Sequence, residues 1–473
     1  MPGVRSAGPA PRFSLGWLRE LLVELFPEAG ARQPGRFRWG FPVSVVLQML
    51  AVCAGAVLLL FRVAGVPAWD SVYNEDNGIF LVQAIQHPWH LLVPYAGYLQ
   101  LVPRLIGQIA ALVPLPDAPR VYAVSGALIA ACCALFLYHA SAGHVRSRWL
   151  RVLLGAALVL LPVAPLEIVD SGVNSVWYLL AALVFAILWR PSSAGGQAAA
   201  ALVGFAAVAS NVLALLLLPL LVLRVIALPR VREQAVTVGY ILGCLLQAPL
   251  MVRAWGMGER RVSHLTPASR VVPYYLHSVL LRVPGWHLSW WLTRIVGVRD
   301  GTVLVGGLLL LVLGWAAFRL GRPVAMFTVM ALVVGFAVDF VGASMTGGMT
   351  NKTTPAFEWS ARYSVLPILL ITAALIVSAD AIVRRRMAPG EIAPTAGEPA
   401  WRRAGIVVAA AALTCGLAVG WVTDYRYVAF RSQAAWSGTA NQWIDACRRS
   451  GTTIAIPAYS HGYVRVSCHN IHA

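Results

Sequence analysis

Long apolar runs with few charges dominate the chain. Nine runs have about the length that an α-helix needs to cross a bilayer; they lie near 41–61, 119–138, 150–166, 174–189, 235–252, 302–318, 323–341, 364–383 and 404–422. The longer stretch 198–226 is interrupted by Ser210 and Asn211, which predicts two short helices forming a hairpin. The pattern therefore predicts an all-α polytopic membrane protein with about eleven transmembrane helices.

The composition excludes an ordinary soluble protein. Of the 473 residues, 59% are hydrophobic and only 12% are charged, whereas soluble domains carry roughly 25% charged residues. The net charge of +18 comes almost entirely from arginine, since Lys352 is the only lysine. Because these arginines flank apolar runs, they are expected to contact anionic lipid headgroups, and no nucleic-acid partner is expected.

The arginine positions predict the orientation in the cell membrane. Short loops with several arginines, such as 146–151, 224–232 and 384–403, all fall on one side of the predicted spans. Positive charge accumulates on the cytoplasmic side, so the N-terminus is predicted to be cytoplasmic and the C-terminus extracytoplasmic. The basic loop 253–300 then lies outside, which departs from this rule. The departure favours an anionic ligand at this loop.

Three regions follow from this topology. Residues 1–40 form a cytoplasmic segment in which Trp17 to Phe26 predict an amphipathic helix, either at the membrane interface or packed on the protein. Residues 41–423 form the transmembrane domain, with a first outer loop at 62–118 and a large outer loop at 253–300. Residues 424–473 predict a small extracytoplasmic α/β domain, where an oxidising compartment would permit a Cys447–Cys468 disulfide.

The first outer loop holds the densest group of carboxylates. Asp70, Glu75 and Asp76 lie within seven positions just after the first span. Carboxylates at a membrane boundary are costly to desolvate, and adjacent carboxylates raise the pKa of one partner, as a general base near neutral pH requires. We rank them Asp76, Glu75 and Asp70 as candidate catalytic bases; a solvated loop is the alternative. Two short helices, near 79–85 and 99–113, are predicted to follow along the outer interface.

These residues resemble a known family. The Glu75-Asp76 pair, the two helices after it and the stretch from Gly97 to Pro103-Arg104-Leu105 are similar to the first outer loop of C-type glycosyltransferases. Val102 stands where that family has a lysine, Arg104 replaces its second proline, and the acidic order is reversed. The scarcity of lysine and the abundance of alanine favour a GC-rich, actinobacterial genome.

The resemblance implies an inverting transfer of a sugar from a polyprenyl-phosphate donor. The acceptor would be a hydroxyl of a cell-envelope glycan, lipid or protein on the outer face of the membrane, deprotonated by a first-loop carboxylate. A lipid or glycolipid transporter is the alternative function, and a non-catalytic scaffold is a third. The predicted spans carry few charges in their middles, which argues against ion-coupled transport.

The leaving phosphate requires positive charge, and arginine binds oxyanions through two parallel hydrogen bonds. The candidate phosphate ligands are Arg362, Arg261, Arg104, Arg260 and Arg270. The candidate sugar or acceptor ligands are Tyr95, Tyr98, His264, Tyr274, Tyr275, His277 and Tyr363. Headgroup anchoring and an interfacial aromatic belt are the alternatives. No cofactor is required by a motif, although Asp76 with Glu167, Asp170 or Asp339 could hold Mg²⁺ or Mn²⁺.

The orientation is testable with fused reporters. A reporter that is active only outside the cytoplasm, fused after Ala473, should be active, because an odd number of spans puts the two termini on opposite sides of the membrane. The same reporter fused before Met1 should be silent. Activity at the N-terminal fusion alone would contradict the predicted orientation.

Overall fold

The computed structural model describes residues 15–28, 41–73, 75–161, 169, 171–258, 267–345, 361–387, 400–425, 430–431, 435–458 and 462–470. Its α-helices are α1 (Leu15–Val23), α2 (Phe41–Leu60), α3 (Val82–Gln86), α4 (Leu101–Ala110), α5 (Ala118–Ala140), α6 (Arg148–Leu160), α7 (Ser175–Leu188), α8 (Ala194–Val208), α9 (Leu218–Ala227), α10 (Ala235–Gly256), α11 (Ala268–Ser278), α12 (Trp286–Val296), α13 (Val298–Arg319), α14 (Arg322–Met345), α15 (Val365–Met387), α16 (Ala400–Thr423) and α17 (Trp436–Ser450). Its strands are β1 (Ala64–Gly65), β2 (Phe430–Arg431), β3 (Thr453–Ala458) and β4 (Gly462–Ser467).

Membrane-spanning helices form the body of the protein. Within the described ranges, six helices are long and apolar enough to cross a membrane: α2, α5, α10, α13, α14 and α15. The chain is therefore a multi-pass membrane protein. The predicted break at Ser210 and Asn211 is present, because α8 ends before it and Asn211 Oδ1 accepts a hydrogen bond from the Leu213 amide at 3.0 Å. The other predicted spans and the orientation of the termini stay predictions.

Two helices lie at the centre of the bundle. All fourteen residues of α7 are buried, and 94% of the apolar stretch in α15 is buried as well. A helix that is hydrophobic on every side is stable only inside such a bundle. The N-terminal α1 joins this core, because Leu22, Leu25 and Phe26 at its end are buried against it. This matches the packing alternative for the segment near Trp17.

Arginines bind the C-terminal carbonyls of three helices; Arg62 and Arg224 are buried, and Arg385 is exposed. Arg62 donates to Val159 O of α6 at 2.7 Å, and Arg385 donates to Arg319 O of α13 at 2.7 Å. Arg224 donates to Trp189 O, just after α7, and to Glu233 O, both at 2.7 Å. The last carbonyls of a helix have no partner within it, so each guanidinium supplies the missing donors and complements the helix dipole.

Aspartates from distant segments do the same at helix N-termini. Asp380 of α15 accepts hydrogen bonds from the Arg146 and Ser147 amides, at 3.0 and 2.8 Å, just before α6. Asp424, which follows α16, accepts one from the His287 amide in the first turn of α12 at 3.1 Å. These contacts fix where one helix starts relative to another, because they join residues far apart in sequence.

The loops that the sequence predicts on the outer side contain more helix than its pattern indicates. In the first loop, a π-helical turn (Asp76–Leu81) runs directly into α3, and α4 follows, as the pattern predicted. The loop 253–300, which the sequence showed only as basic and aromatic-rich, contains α11 and α12. Both are interrupted by polar residues, so neither gives the long apolar run that marks a span.

The C-terminal segment contains a helix and two strands. Strands β3 and β4 pair as an antiparallel hairpin, and Cys447 of α17 forms a disulfide with Cys468. The Trp436 indole donates to Leu115 O at 2.8 Å, and the Asp70 carboxylate accepts hydrogen bonds from Ser437 N and Oγ at 2.7 and 3.1 Å. Asp70, ranked third as a base, therefore caps α17 and holds this segment to the first outer loop.

The arginine contacts predict a stability effect. Arg224→Met should destabilise the purified protein by roughly 1–3 kcal/mol, because buried carbonyls at the end of α7 lose their donor. Arg232→Met is the matched control, since Arg232 is exposed on the same stretch of chain. Thermal unfolding in detergent measures both variants. Equal loss of stability in the two would contradict a capping role for Arg224.

Candidate active site

Asp76 is completely buried and hydrogen-bonded on both carboxylate oxygens. Oδ2 accepts from Ser171 Oγ and from the Gly172 amide, each at 2.9 Å, and Oδ1 accepts from the Val173 amide at 2.7 Å. These donors immediately precede α7. A Cβ on Gly172 would lie 3.0 Å from Asp76 Oδ1 and 2.8 Å from the ring of Tyr122, so only glycine allows this approach.

The position of Asp76 changes its predicted role. Its side chain is 0% exposed, and its three donors all come from the protein. Burial raises its pKa to about 7, although the hydrogen bonds from Ser171, Val173 and Gly172 oppose the shift. A substrate hydroxyl cannot reach either oxygen without displacing these contacts. The geometry shows that Asp76 binds the turn just before α7, whose N-cap is Asn174.

Glu75 faces the opposite way, toward polar and charged side chains. Its Oε1 accepts a hydrogen bond from the Tyr95 hydroxyl at 3.4 Å. Its Oε2 lies 3.7 Å from Arg362 Nη1 and accepts no hydrogen bond from the described residues. The side chain of Glu75 is 14% exposed, against 18% for Arg362. Burial and the negative charge of Glu75 both raise the pKa of the Tyr95 hydroxyl, which stays protonated.

Arg362 is held at the entrance of α15 by its neighbour Tyr363. Both residues belong to a short 3₁₀ turn, Ala361–Ser364, and the Arg362 guanidinium carbon lies 5.5 Å from the centre of the Tyr363 ring. That ring packs edge-on against Trp177 of α7, with 5.1 Å between centroids. It lies so close to Gly342 that a Cβ there would be 2.3 Å from the ring. The position of Arg362 thus depends on α7 and α14.

Several predicted sugar ligands lie around this pair. Tyr95 packs edge-on against Phe80 at 5.7 Å, and Tyr98 pairs with Tyr95 in a short bridge. Helix α11 contacts the Ala361–Ser364 turn and brings in Tyr275, whose pKa is raised by burial and by Asp339. Ser364 Oγ in turn donates to Asp339 at 3.4 Å.

Other predicted ligands lie elsewhere. His277 contacts Thr302 Oγ1 at 3.3 Å, and its pKa falls to about 4 through burial and the charge of Arg282. Tyr274 shares α11 with His277. Arg104 lies behind the Phe80 ring, 5.6 Å from its centre. Arg260, Arg261 and His264, together with the side chain of Arg270, lie outside the described residues.

A metal ion has no evident place in the described part of the site. No group of three or more His, Cys, Asp or Glu side chains occurs among the described residues. Asp76 already accepts three hydrogen bonds, and Glu167 and Asp170 lie outside the described ranges. The divalent cation considered from the sequence therefore gains no support from these residues.

Residues 171–175, Ser-Gly-Val-Asn-Ser, include the three hydrogen-bond partners of Asp76, and the sequence analysis did not single them out. Their small and polar side chains before an apolar run are typical of a helix start, and that local signal was available. Their pairing with Asp76 cannot be recognised from the sequence, because Asp76 lies about a hundred residues earlier in the chain. Trp177 and Gly342, which fix Tyr363, carried no signal of function at all.

Comparison with known proteins gives a weak structural likeness. No protein-family model matches the chain, and no curated protein sequence matches it. The crystal structure of ArnT from Cupriavidus metallidurans in the apo state is similar at 14% identity, with a TM-score of 0.40 over 81% of this chain and 75% of that one. The same protein bound to undecaprenyl phosphate gives 14% identity and a TM-score of 0.39, over 82% and 74%. At this level the function has to follow from the site itself.

The raised pKa of Asp76 predicts how stability depends on pH. The folded protein keeps a proton on Asp76 that the unfolded chain releases above its ordinary pKa of 3.8. The contribution of this group to stability is therefore largest at low pH and is lost as the pH rises through about 7. Asp76→Asn removes the titration.

The unfolding temperature of wild type minus that of Asp76→Asn should fall between about pH 5 and about pH 8, then level off. Asp117→Asn, at a carboxylate 39% exposed in the same loop, is the control and should show no such trend. A temperature difference that stays constant over this range would contradict the raised pKa.

Proposed function

We propose that the chain is an inverting glycosyltransferase that moves a sugar from a polyprenyl-phosphate donor to an acceptor hydroxyl on the outer face of the membrane. The observation that carries the proposal is the Glu75–Arg362 pair at 3.7 Å, at the end of α15 that the predicted topology puts outside. A base for the acceptor and a cation for the departing phosphate stand next to each other there. Glycosyl transfer to a hydroxyl requires both.

Glu75 is the better candidate for the base. A general base must reach the proton it removes, either directly or through one water. Glu75 Oε2 accepts no hydrogen bond from the described residues, whereas all three hydrogen bonds to the Asp76 carboxylate come from buried groups. Asp76 then acts as a positioning residue, because its hydrogen bonds to the turn before α7 fix the chain on which Glu75 is the preceding residue.

The reaction follows from these positions. Glu75 takes the proton of the acceptor hydroxyl, and the acceptor oxygen forms a bond to the anomeric carbon of the sugar. On the opposite face the bond from that carbon to the phosphate oxygen breaks, and polyprenyl phosphate leaves with the electron pair. One displacement inverts the configuration at the anomeric carbon. Arg362 stabilises the charge that develops on the phosphate.

The same pair supports an order of binding. In the free protein the Arg362 guanidinium lies beside the Glu75 carboxylate. A donor phosphate competes with Glu75 for this cation. Once the phosphate binds Arg362, the Glu75 carboxylate is left for the acceptor hydroxyl, so the donor is expected to bind before the acceptor loses its proton. Tyr95, Tyr98 and Tyr363 surround the pair and supply faces on which a sugar ring can pack.

The division of roles between the two acids is testable. Glu75→Gln should lower transfer by about 10²–10⁴-fold, the usual contribution of a general base. Donor binding should not weaken, because the variant no longer competes with the donor phosphate for Arg362. Release of polyprenyl phosphate from polyprenyl-phosphate monosaccharides, measured in membranes that contain the chain, reports transfer. Asp76→Asn is the comparison, and its activity should be recovered in proportion to the folded fraction. Full activity of Glu75→Gln would overturn the assignment.

Donor movement across the bilayer without transfer, in wild type and variant alike, would favour a flippase.

Arg362 should bind the donor phosphate. Arg362→Ala is expected to weaken donor binding by about tenfold or more, since charge-assisted hydrogen bonds contribute roughly 1.5–3 kcal/mol. Arg362→Lys should restore only part of the affinity, because lysine keeps the charge but loses the two-pronged geometry. Arg120→Ala, at an arginine that is 65% exposed, serves as the control. Unchanged donor binding in Arg362→Ala would place the phosphate elsewhere.

A further inference from the structure

A glutamine inside a membrane-spanning helix binds the backbone of the first loop. Gln247 belongs to α10, which is long and apolar enough to cross a membrane, and the residue is completely buried. Its Oε1 accepts a hydrogen bond from the Leu99 amide at 2.8 Å, and its Nε2 donates to Leu99 O at 3.2 Å. A polar side chain buried in an apolar span is costly unless it is hydrogen-bonded, and Leu99 supplies both a donor and an acceptor.

The break between α8 and α9 binds the start of α4. The Leu101 amide donates to Ala209 O at 3.1 Å, and the Val102 amide donates to Ser210 Oγ at 3.0 Å. These are the first two amides of α4, which have no acceptor within their own helix. Residues 99–102, the docked segment, are therefore held by hydrogen bonds both to α10 and to the break.

A tight turn connects the docked segment to Tyr95. The Tyr95 amide donates to Tyr98 O at 2.8 Å, and the Tyr98 amide donates to Tyr95 O at 3.3 Å. Between them, Ala96 and Gly97 have φ angles of 54° and 85°. Positive φ at both central residues is the pattern of a type I′ turn, which places its two flanking residues opposite each other. Because Tyr98 directly precedes Leu99, fixing the docked segment also fixes Tyr95.

Tyr95 joins this turn to the proposed base. Its hydroxyl donates to Glu75 Oε1 at 3.4 Å, and its ring packs edge-on against Phe80 at 5.7 Å between centroids. Hydrogen bonds of catalytic groups are often long in the free protein and shorten when substrate binds. With Tyr95 on Oε1, the other oxygen is left for the acceptor, since Oε2 accepts no hydrogen bond from the described residues.

We propose that Gln247 is a positioning residue for the transfer reaction. It acts through Leu99 and the turn Tyr95–Tyr98, and it holds the Tyr95 hydroxyl in place on Glu75. The contact then orients the Glu75 carboxylate toward the acceptor hydroxyl. This inference rests on the proposed function, because it takes Glu75 as the base.

The arrangement predicts different effects on turnover and on donor affinity. Arg362, the proposed phosphate ligand, contacts the Tyr363 ring, and that ring packs on Trp177 of α7. Neither of these two contacts involves Gln247 or the docked segment. Loss of the Gln247 amide is therefore expected to lower kcat and to leave KM for the donor unchanged.

Steady-state kinetics in membranes that contain the full chain test this expectation. Gln247→Leu should lower kcat by about tenfold or more, the effect of losing a hydrogen bond to a charged group. Tyr95→Phe keeps the ring, removes the hydroxyl and should have the same effect. Because both changes act on one contact, the double variant should lose no more than either single variant. Gln48→Leu is the matched control, since Gln48 lies in α2 and its Nε2 donates to Ser44 O of the same helix at 3.2 Å.

Two further measurements guard against a folding defect of Gln247→Leu. Ser210→Ala is a smaller change that removes the acceptor of the Val102 amide, and it should lower kcat in the same direction. Hydrogen–deuterium exchange at the Leu99 amide should be faster in Gln247→Leu than in wild type, because this amide loses its acceptor. In Tyr95→Phe the Leu99 amide should exchange at the wild-type rate.

The outcomes separate this proposal from the proposed base. If Glu75→Gln is inactive, wild-type kcat in folded Gln247→Leu or in Tyr95→Phe would overturn the positioning role alone. Losses that multiply in the double variant, or that appear only in KM for the donor, would do the same. Full activity of Glu75→Gln would overturn the proposed base and this inference with it.

Discussion

The structure depends on how helix ends are satisfied inside an apolar bundle. Backbone N–H and C=O groups at a helix end have no partner within the helix, and lipid provides none. This chain uses charged side chains for that purpose, all of them buried except Arg385: Arg62, Arg224 and Arg385 at C-termini, and Asp76, Asp380 and Asp424 at or just before N-termini. Each contact joins segments distant in sequence. The charges therefore set the relative positions of helices as well as their ends.

At the candidate site this constraint separates two adjacent carboxylates. Asp76 turns inward and binds the turn just before α7, the helix that carries Trp177. Trp177 packs on Tyr363, and Tyr363 contacts Arg362, which lies beside Glu75. The hydrogen bonds of Asp76 thus connect both sides of the Glu75–Arg362 pair through a short series of contacts. Two adjacent carboxylates therefore have different surroundings, one in the turn before α7 and the other beside an arginine.

The sequence predicts those structural elements that depend on the local pattern of apolar and polar residues. The long apolar helices, the break at Ser210 and Asn211, and the helix and strands after residue 435 all follow from runs and periodicity. The burial of Asp76 could not be predicted, because it depends on contacts with residues 171–173 that no spacing reveals. Helices α11 and α12 were missed for a related reason, since their stability comes from packing against other helices more than from their own pattern.

The central claim is that Asp76 holds the start of α7 and that Glu75 does not. Hydrogen–deuterium exchange of the purified chain measures this directly at the Gly172 and Val173 amides, which donate to Asp76 at 2.9 and 2.7 Å. In Asp76→Asn these amides and the first turn of α7 should exchange faster than in wild type, while Glu75→Gln should match wild type. Equal protection in all three proteins would contradict the account, as would faster exchange in Glu75→Gln alone.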